Sequence, residues 1–261
     1  MKKTALITGA CINTGVAIVE KFAAEGYDVV FTGRSEEKVR AAEAAYREKF
    51  PEVKVLGYAI DSLINPTTVD EKAVLDLFAD LDAKGVFIEH LVLNAADQGL
   101  GQKIFENSLT DFMKVLNTNI VWNYCLSEHA AKRMKEQGGG NIVFVNSNTA
   151  YRAIPDRIAY EASKGGQLGM MRGLALDLGK YNIRVNAVLP GMIKTDRWEK
   201  NPEFYATVPS RYTPIGDVAV GEDVADAVYY FAAHARNTTG AELTVDGGNT
   251  VQLYPIIPKS E

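Results

Sequence analysis

Short runs of β-branched residues alternate with longer amphipathic stretches along nearly the whole chain. The short runs predict strands, and the stretches with apolar residues three and four positions apart predict helices. The predicted strands cover residues 4–8, 28–32, 53–59, 90–93, 141–146, 183–189 and 241–246. The predicted helices cover residues 15–25, 36–49, 71–84, 108–136, 158–180 and 222–234.

This alternation predicts the fold class. It is typical of an α/β protein, in which helices cover both faces of a parallel sheet. Since crossover connections between parallel strands are right-handed, we expect a doubly wound, Rossmann-like sheet of about seven strands. No repeat, low-complexity tract or Pro/Gly-rich linker divides the sequence, so residues 1–261 are predicted to form a single domain.

One segment, residues 190–216, departs from this regularity. It contains aromatic residues without clean helical or strand periodicity, and a long irregular segment in a compact domain predicts a lid over a binding site. The aromatic residues are Trp198, Phe204, Tyr205 and Tyr212. We expect them to form an apolar wall against the substrate. Arg197 and Lys200 leave open a second interpretation, in which the segment meets an anionic substrate tail.

Charge and composition exclude several partners. The 28 Lys and Arg against 33 Asp and Glu give a net charge of −5 with no strongly basic segment, so nucleic acid is not an expected partner. No apolar run has the length of a signal peptide or a membrane span, so we expect a cytoplasmic protein without membrane association. Cys11 and Cys125 fit a reducing compartment. His90, His129 and His234 share no ligand spacing, and no metal site is predicted.

The first predicted strand runs into a glycine-containing turn, Thr8–Gly15, that precedes a helix. Such a turn presents backbone N–H groups and the positive end of a helix to a pyrophosphate. Its candidate binding residues are Gly9, Cys11, Asn13, Thr14 and Gly15. The common G-x-G-x-x-G spacing is absent, so a turn that serves only packing stays open.

The second predicted strand ends in Thr32-Gly33-Arg34-Ser35. A dinucleotide site that prefers NAD usually places an acid here, whereas an arginine accommodates the 2′-phosphate of NADP. Arg34, followed by the hydroxyl of Ser35, therefore favours NADP(H), with NAD(H) as the second candidate. A solvated arginine at a strand end is the simpler alternative.

A third group lies between the strand at 141–146 and the helix at 158–180. Ser147 closes the strand, and Tyr160 and Lys164 lie four residues apart on one face of the helix. A phenol has a pKa of about 10, and a nearby ammonium lowers it. With a serine hydroxyl to position an oxygen atom, the group predicts proton transfer in carbonyl/alcohol interconversion.

Together these segments resemble the motifs of the short-chain dehydrogenase/reductase family, over essentially the whole chain. Thr8-Gly9 through Gly15 stands at the family's glycine-rich turn, Asp61 beside Ser62 at its adenine-contacting acid, and Leu93-Asn94-Ala95-Ala96 at its Asn-Asn-Ala-Gly segment. Asn119 stands at the position of its active-site asparagine, and its catalytic set matches Ser147, Tyr160 and Lys164. Its nicotinamide segment matches Pro190-Gly191 with Ile193 and Thr195, and its closing strand matches Thr239-Gly240 through Gly248.

Three positions depart from the family's pattern. Asn13 replaces the middle glycine of the turn, although asparagine tolerates left-handed backbone. Ala96 replaces a glycine at the floor of the cofactor site. Cys11 and Ile12 stand where many NADP-using members have a basic residue, which leaves Arg34 to carry the NADP preference.

The resemblance implies an NADP(H)-dependent oxidoreductase that interconverts a ketone or aldehyde and an alcohol. In the family's mechanism Tyr160 transfers the hydroxyl proton, Ser147 positions the substrate oxygen, Lys164 lowers the pKa of Tyr160 and binds the nicotinamide ribose, and Asn119 helps to hold a water relay to Lys164. An NAD-linked alcohol dehydrogenase, an enoyl reductase and a non-catalytic dinucleotide-sensing protein stay open. The resemblance also implies a homotetramer (or homodimer), with contacts through 158–180 and 241–246.

Overall fold

The computed structural model describes residues 3–255, apart from the side chains of Arg197, Glu199 and Phe204. The strands are β1 Thr4–Ile7, β2 Asp28–Gly33, β3 Val55–Ala59, β4 Leu63–Asn65, β5 Thr68–Val69, β6 His90–Leu93, β7 Gly140–Val145, β8 Ile183–Pro190 and β9 Glu242–Val245. The helices are α1 Asn13–Ala24, α2 Glu36–Lys49, α3 Glu71–Ala83, α4 Leu109–Leu116, α5 Trp122–Glu136, α6 Ile158–Leu178, α7 Asp196–Lys200, α8 Pro202–Ala206, α9 Val208–Tyr212 and α10 Gly221–Tyr229.

Seven strands form one parallel sheet in the order β3-β2-β1-β6-β7-β8-β9. The predicted fold class is therefore confirmed. The strand order reverses between β1 and β6, and a doubly wound sheet binds ligands at the carboxyl ends of its strands at such a point. A short antiparallel hairpin, β4–β5, stands apart from the main sheet.

The sheet is buried on both faces because its strands are apolar along most of their length. Helices α1, α2 and α10 cover one face, where Phe22 and Phe31 are fully buried. Helices α3, α5 and α6 cover the other, around Phe78, Leu126 and Met171. No helix within residues 3–255 is both long enough and apolar enough to cross a membrane.

Helix α2 shows how local chemistry sets an element's ends. Ser35 accepts a hydrogen bond from the Lys38 amide at 3.4 Å, and Glu36 and Glu37 occupy the first turn near the positive end of the helix. The helix therefore begins at the residue that the sequence predicts.

Two predicted helices differ from the observed ones because each contains a π-helical turn. The helix predicted over 108–136 is split by the turn Asn117–Val121, and the one predicted over 222–234 ends in the turn Tyr230–His234. A π turn inserts one residue into the i→i+4 hydrogen-bond pattern. The apolar spacing changes too little for the sequence to reveal it.

The lid segment, residues 190–216, is not irregular throughout, which corrects the prediction. It contains the three five-residue helices α7, α8 and α9, and Pro202 and Pro209 lie in the first turns of α8 and α9. Proline is accommodated in a first turn because the N–H it lacks has no partner within the helix there. Helices this short span less than two turns and cannot show apolar periodicity.

Candidate active site

The candidate site residues follow the carboxyl ends of parallel strands in the sheet. Gly9 follows β1, Asn94 follows β6, Ser147 follows β7 and Gly191 follows β8. Since parallel strands end at the same edge of a sheet, the fold brings these residues to one edge.

The turn after β1 leaves the N-terminus of α1 uncapped. Gly9 (φ +67°) and Asn13 (φ +49°) both adopt left-handed backbone, as expected of asparagine at this position. A Cβ atom on Gly15 would lie 2.4 Å from the Gly9 carbonyl oxygen, so a larger residue does not fit. Within the described residues, α1 has no capping side chain and no acid in its first turn. Its first N–H groups therefore fit a pyrophosphate.

A cleft of about 270 Å³ opens beside this helix end. Its lining includes Asn13 and Thr14 from the turn and Lys194 and Thr195 from the segment after β8. Two regions that the sequence assigned to the same cofactor thus meet at one cleft.

Asn94 fixes the conformation of the glycine-containing turn after β1. Its Nδ2 donates to the carbonyl oxygens of Thr8 (3.0 Å) and Gly9 (3.1 Å). The Thr8 hydroxyl oxygen accepts hydrogen bonds from the amides of Asn94 and Ala95, both at 3.0 Å. Asn94 therefore positions the turn, and Ala95 packs under Gly9.

The end of β2 has no room for an acid. A Cβ atom on Gly33 would lie 2.4 Å from the Cys11 sulfur. Burial raises the pKa of the Cys11 thiol, and the positive charge of Lys38 acts in the opposite direction by lowering it. Arg34 is exposed and makes no ion pair with any described residue. Ser35 uses its hydroxyl oxygen to cap α2, and Arg34 and Lys38 are exposed cations at this corner.

At the end of β3, Asp61 and Ser62 behave differently. Asp61 is exposed and accepts a hydrogen bond from the Leu63 amide at 3.3 Å. Ser62 is buried, and its hydroxyl lies 3.2 Å from the Thr118 hydroxyl in the π turn. Asp61 is therefore open to a ligand, whereas Ser62 ties the sheet edge to the turn that contains Asn119.

Ser147 and Tyr160 form the candidate proton-transfer pair. The Ser147 oxygen accepts a hydrogen bond from the Thr149 amide at 3.2 Å, which fixes its rotamer. Burial raises the pKa of the Tyr160 phenol, while a hydrogen bond with Ser147 and the charge of Arg157 act in the opposite direction. The phenol is therefore protonated at neutral pH and interacts with the serine that the sequence assigned to the substrate oxygen.

Lys164 lies buried behind Tyr160. It is 1% exposed, its Nζ donates to the Val145 carbonyl (2.9 Å) and the Gln167 Oε1 (3.2 Å), and it lies 5.5 Å from the Tyr160 ring centroid. Burial lowers its pKa to about 7. Burial is the largest influence on the pKa of Tyr160, and the Lys164 ammonium faces the Val145 carbonyl and the Gln167 amide oxygen. That Lys164 lowers the pKa of Tyr160 stays a prediction.

Asn119 occupies the middle of the π turn, and the water relay expected there stays a prediction. Its carbonyl oxygen accepts hydrogen bonds from Asn123 Nδ2 (2.9 Å) and Gln167 Nε2 (2.6 Å). Its side chain binds the main chain of Asp97 in both directions at 2.8 Å. Asn119 therefore holds the loop after β6 through its side chain, and its carbonyl binds the Gln167 side chain.

The predicted nicotinamide segment follows β8. The Gly191 amide donates to the Val245 carbonyl at 2.9 Å, and a Cβ atom on Gly191 would lie 2.6 Å from the Asp246 Cβ. Pro190 ends the strand, and Ile193 forms a parallel bridge with Ala219. The glycine thus permits β8 and the segment after β9 to approach closely, and Thr195 then reaches the cleft beside α1.

The lid aromatics pack partly on one another. The rings of Trp198 and Tyr205 stack with centroids 4.3 Å apart, and the Trp198 indole donates to the Ile193 carbonyl at 3.1 Å. The Tyr212 carbonyl accepts a hydrogen bond from Asn249 Nδ2 at 2.7 Å. The Phe204 side chain lies outside the described residues.

The site contains four further residues that the sequence analysis did not find. Lys38 adds a cation near the end of β2, Asn249 accepts from Asn148 Nδ2 at 3.0 Å and so links the lid to the turn after Ser147, and Asn146 and Gln167 bind Lys164. Polar residues in apolar strands and on buried helix faces were the available signal for Asn146 and Gln167.

One group of potential metal ligands forms between α3 and α5. Glu71, Cys125 and His129 each place one ligand atom within 4.8 Å of the others. The group joins two helices, so histidine spacing could not reveal it. None of the candidate catalytic residues belongs to it.

Comparison with known proteins identifies the family. The family model described as Enoyl-(Acyl carrier protein) reductase matches residues 9–250. A 3alpha-hydroxysteroid dehydrogenase of Mediterraneibacter gnavus is 33% identical over 248 residues, which are 94% of this chain and 96% of that protein.

Two solved structures are similar over the same extent. The L-sorbose reductase of Gluconobacter frateurii, complexed with NADPH and L-sorbose, has a TM-score of 0.87 at 27% identity and covers 97% of this chain and 98% of its own. An NAD⁺-bound xylitol dehydrogenase has a TM-score of 0.81 at 29% identity, with 94% and 98% covered. Fold and site thus define an oxidoreductase that acts on alcohol or carbonyl groups. The chain belongs to the short-chain dehydrogenase/reductase family.

Proposed function

We propose that this protein is an NADP(H)-dependent oxidoreductase that interconverts a ketone or aldehyde and the corresponding alcohol, with Tyr160 as general acid and base. The observation that carries the proposal is the hydrogen-bonded Ser147–Tyr160 pair, with Lys164 buried one turn further along α6. This group stands at the same sheet edge as the uncapped N-terminus of α1, which suits a dinucleotide phosphate.

In this mechanism the chain's own residues manage the proton and the oxygen. The bound dinucleotide supplies or accepts the hydride. In reduction, Ser147 donates a hydrogen bond to the carbonyl oxygen, and Tyr160 gives its phenolic proton to that oxygen as the C–H bond forms. In oxidation, Tyr160 takes the alcohol proton. The Lys164 ammonium stabilises the phenolate that forms during reduction.

The residues at the end of β2 support NADP(H) over NAD(H). Arg34 is exposed and forms no ion pair with a residue that the structure describes, and Lys38 supplies a second cation. The Cys11 sulfur occupies the space that an acid at position 33 would need. A guanidinium and an ammonium attract a 2′-phosphate, whereas ribose hydroxyls offer them no charge.

Arg34→Ala is expected to lower kcat/KM with NADPH by about 10- to 100-fold, the value of a hydrogen bond to a charged group, and to leave kcat/KM with NADH nearly unchanged. Steady-state kinetics with both cofactors measure this. Arg236→Ala, an exposed arginine in the connection between α10 and β9, is the matched control. Equal or better use of NADH by the unmodified protein would reject the NADP assignment.

The reaction itself is tested by NADPH oxidation over a panel of carbonyl compounds and NADP⁺ reduction over a panel of alcohols. Turnover in either direction is expected with at least one class. Dinucleotide binding without any turnover would instead favour the sensing protein. The panel includes sugars, steroids and acyl thioesters, because similar scaffolds handle all of these.

We further propose that residues 190–216 form the substrate lid. Trp198→Ala is expected to change the ranking of bulky against small ketones, because the Trp198–Tyr205 stack sets the shape of α7 and α8. Affinity for NADPH should stay within about twofold. Leu75→Ala, an exposed apolar residue on α3, is the control. An unchanged ranking across the panel would assign Trp198 to packing alone.

A homotetramer or homodimer is the proposed assembly, and the exposed face of α6 supports it. A Cβ atom on Gly165, Gly169 or Gly173 would meet no heavy atom within 4 Å, and Leu176 is 83% exposed. Small residues beside an exposed apolar one let two helices pack closely. The free thiols of Cys11 and Cys125 fit the proposed cytoplasmic location.

A further inference from the structure

Gln167 is a polar residue on the buried face of α6, next to Ser163 and Lys164. It is 1% exposed and lies beside Leu168, which belongs to the core on that side of the sheet. A buried amide without partners would destabilise the fold, so its hydrogen bonds indicate why it is there.

Each polar atom of the Gln167 amide has a partner near the candidate active site. Its Oε1 accepts hydrogen bonds from Lys164 Nζ at 3.2 Å and Asn146 Nδ2 at 3.1 Å. Its Nε2 donates to the Asn119 carbonyl at 2.6 Å. One side chain therefore joins the lysine to the π turn and to the end of β7.

The partners of Gln167 are themselves fixed. Asn146 Nδ2 also donates to the Lys164 carbonyl at 3.0 Å, and Asn146 Oδ1 accepts from the Ser147 amide at 2.7 Å. Lys164 Nζ has its second acceptor in the Val145 carbonyl at 2.9 Å. The network thus contacts the backbone of one candidate catalytic residue and the ammonium of another.

Few charges act on Lys164. Tyr160 lies one turn earlier on α6, with the Arg157 guanidinium 5.9 Å from its ring centroid, and Asp97 in the loop after β6 pairs with Lys114 at 3.6 Å. Within residues 3–255 no carboxylate pairs with Lys164, and its pKa responds to burial alone. The amide oxygen of Gln167 is therefore its one side-chain acceptor in that range.

We propose that Gln167 is a positioning residue for the reaction, which holds the Lys164 ammonium beside Tyr160 by tying it to the Asn119 carbonyl. The proposal rests on the proposed function only for its kinetic consequence. A lysine side chain has four rotatable bonds, and two fixed acceptors restrict them. The planar amide of Gln167 therefore links the Asn119 carbonyl of the π turn to the Lys164 ammonium.

Two variants separate positioning from packing. Gln167→Met keeps the side-chain length but removes the acceptor, which lowers the pKa of Lys164. The alkaline limb of the activity profile, where activity is lost as the pH rises, therefore moves to lower pH. Gln167→Glu keeps an acceptor and adds a negative charge, so the alkaline limb moves upward. Each shift is expected to be about one to two pH units, as for a hydrogen bond to a charged group. Leu168→Met is the matched core control and should move nothing.

The experiment follows kcat against pH and, independently, the titration of the Lys164 side chain by ¹³Cε NMR in the cofactor-free protein. Thermal unfolding and dinucleotide binding establish that each variant is folded. Opposite shifts for the Met and Glu variants in the NMR titration support the proposal. Titrations that coincide with those of the unmodified protein would overturn it and leave Gln167 a packing residue. NMR shifts in a protein that turns over no substrate would reject the oxidoreductase function instead, with the contact to Lys164 intact.

Discussion

Tyr160→Phe is expected to lower kcat by about 10²- to 10⁴-fold, the range for loss of a general acid–base group. The substitution removes only the hydroxyl, so the ring keeps its place between Arg157 and Lys164. The dissociation constant for NADPH, measured by fluorescence titration, should stay nearly constant.

The matched control is Tyr151→Phe. Tyr151 is exposed and its hydroxyl donates to Glu242, so turnover should stay near that of the unmodified protein. A Tyr160→Phe protein that retains near-normal kcat on the best substrate would remove Tyr160 from the mechanism.

Lys164→Met is expected to lower kcat/KM by at least about 10²-fold and at the same time to stabilise the cofactor-free protein at pH 7. Activity falls because the Tyr160 phenolate loses its cation. Stability rises because, among the residues that the structure describes, no carboxylate pairs with this buried ammonium to offset the free energy of its desolvation. A group needed for the reaction would thus cost stability in the absence of ligands.

The pH dependence of unfolding gives this prediction a sign. The folded-state pKa of Lys164 is about 7, below its ordinary value of 10.5, so the folded protein binds fewer protons than the unfolded chain between these values. The destabilisation is complete below pH 7 and disappears as the pH rises toward 10.5. The free energy of unfolding should therefore rise with pH across this window, by at most about 1.4 kcal/mol per unit.

Urea unfolding between pH 7 and 10 tests this against Lys164→Met, whose stability should lack that contribution to the slope. Lys180→Met, at an exposed lysine, serves as the control. Equal slopes for the unmodified and Lys164→Met proteins would show that folding does not lower the pKa of Lys164.

The Cys11 position connects cofactor preference to packing. Its sulfur fills the space beside Gly33, where an acid would otherwise stand. In the proposed NADP(H) site Lys38, whose charge acts on the Cys11 thiol, would replace the basic residue missing from the turn after β1. Helix α2 brings this lysine to the corner because Ser35 fixes where the helix begins.

The sequence by itself determined the seven strands of the sheet and the order of the motifs, and it predicted the Ser147, Tyr160 and Lys164 set. Apolar runs and caps act within a few residues, so local pattern is enough to place them. The strand predicted over 90–93 is observed as His90–Leu93, and helix α2 begins and ends where its cap and periodicity predict.

Only the tertiary structure decided which way the buried polar groups face. The Lys164 ammonium faces Val145 and Gln167, and the Asn119 carbonyl is taken by a side chain 48 residues away in sequence. Hydrogen bonds of this kind depend on how helices pack across the sheet, and no local pattern encodes them. The π turn at Asn117–Val121 is likewise invisible in the apolar spacing, yet it turns the Asn119 carbonyl toward Gln167.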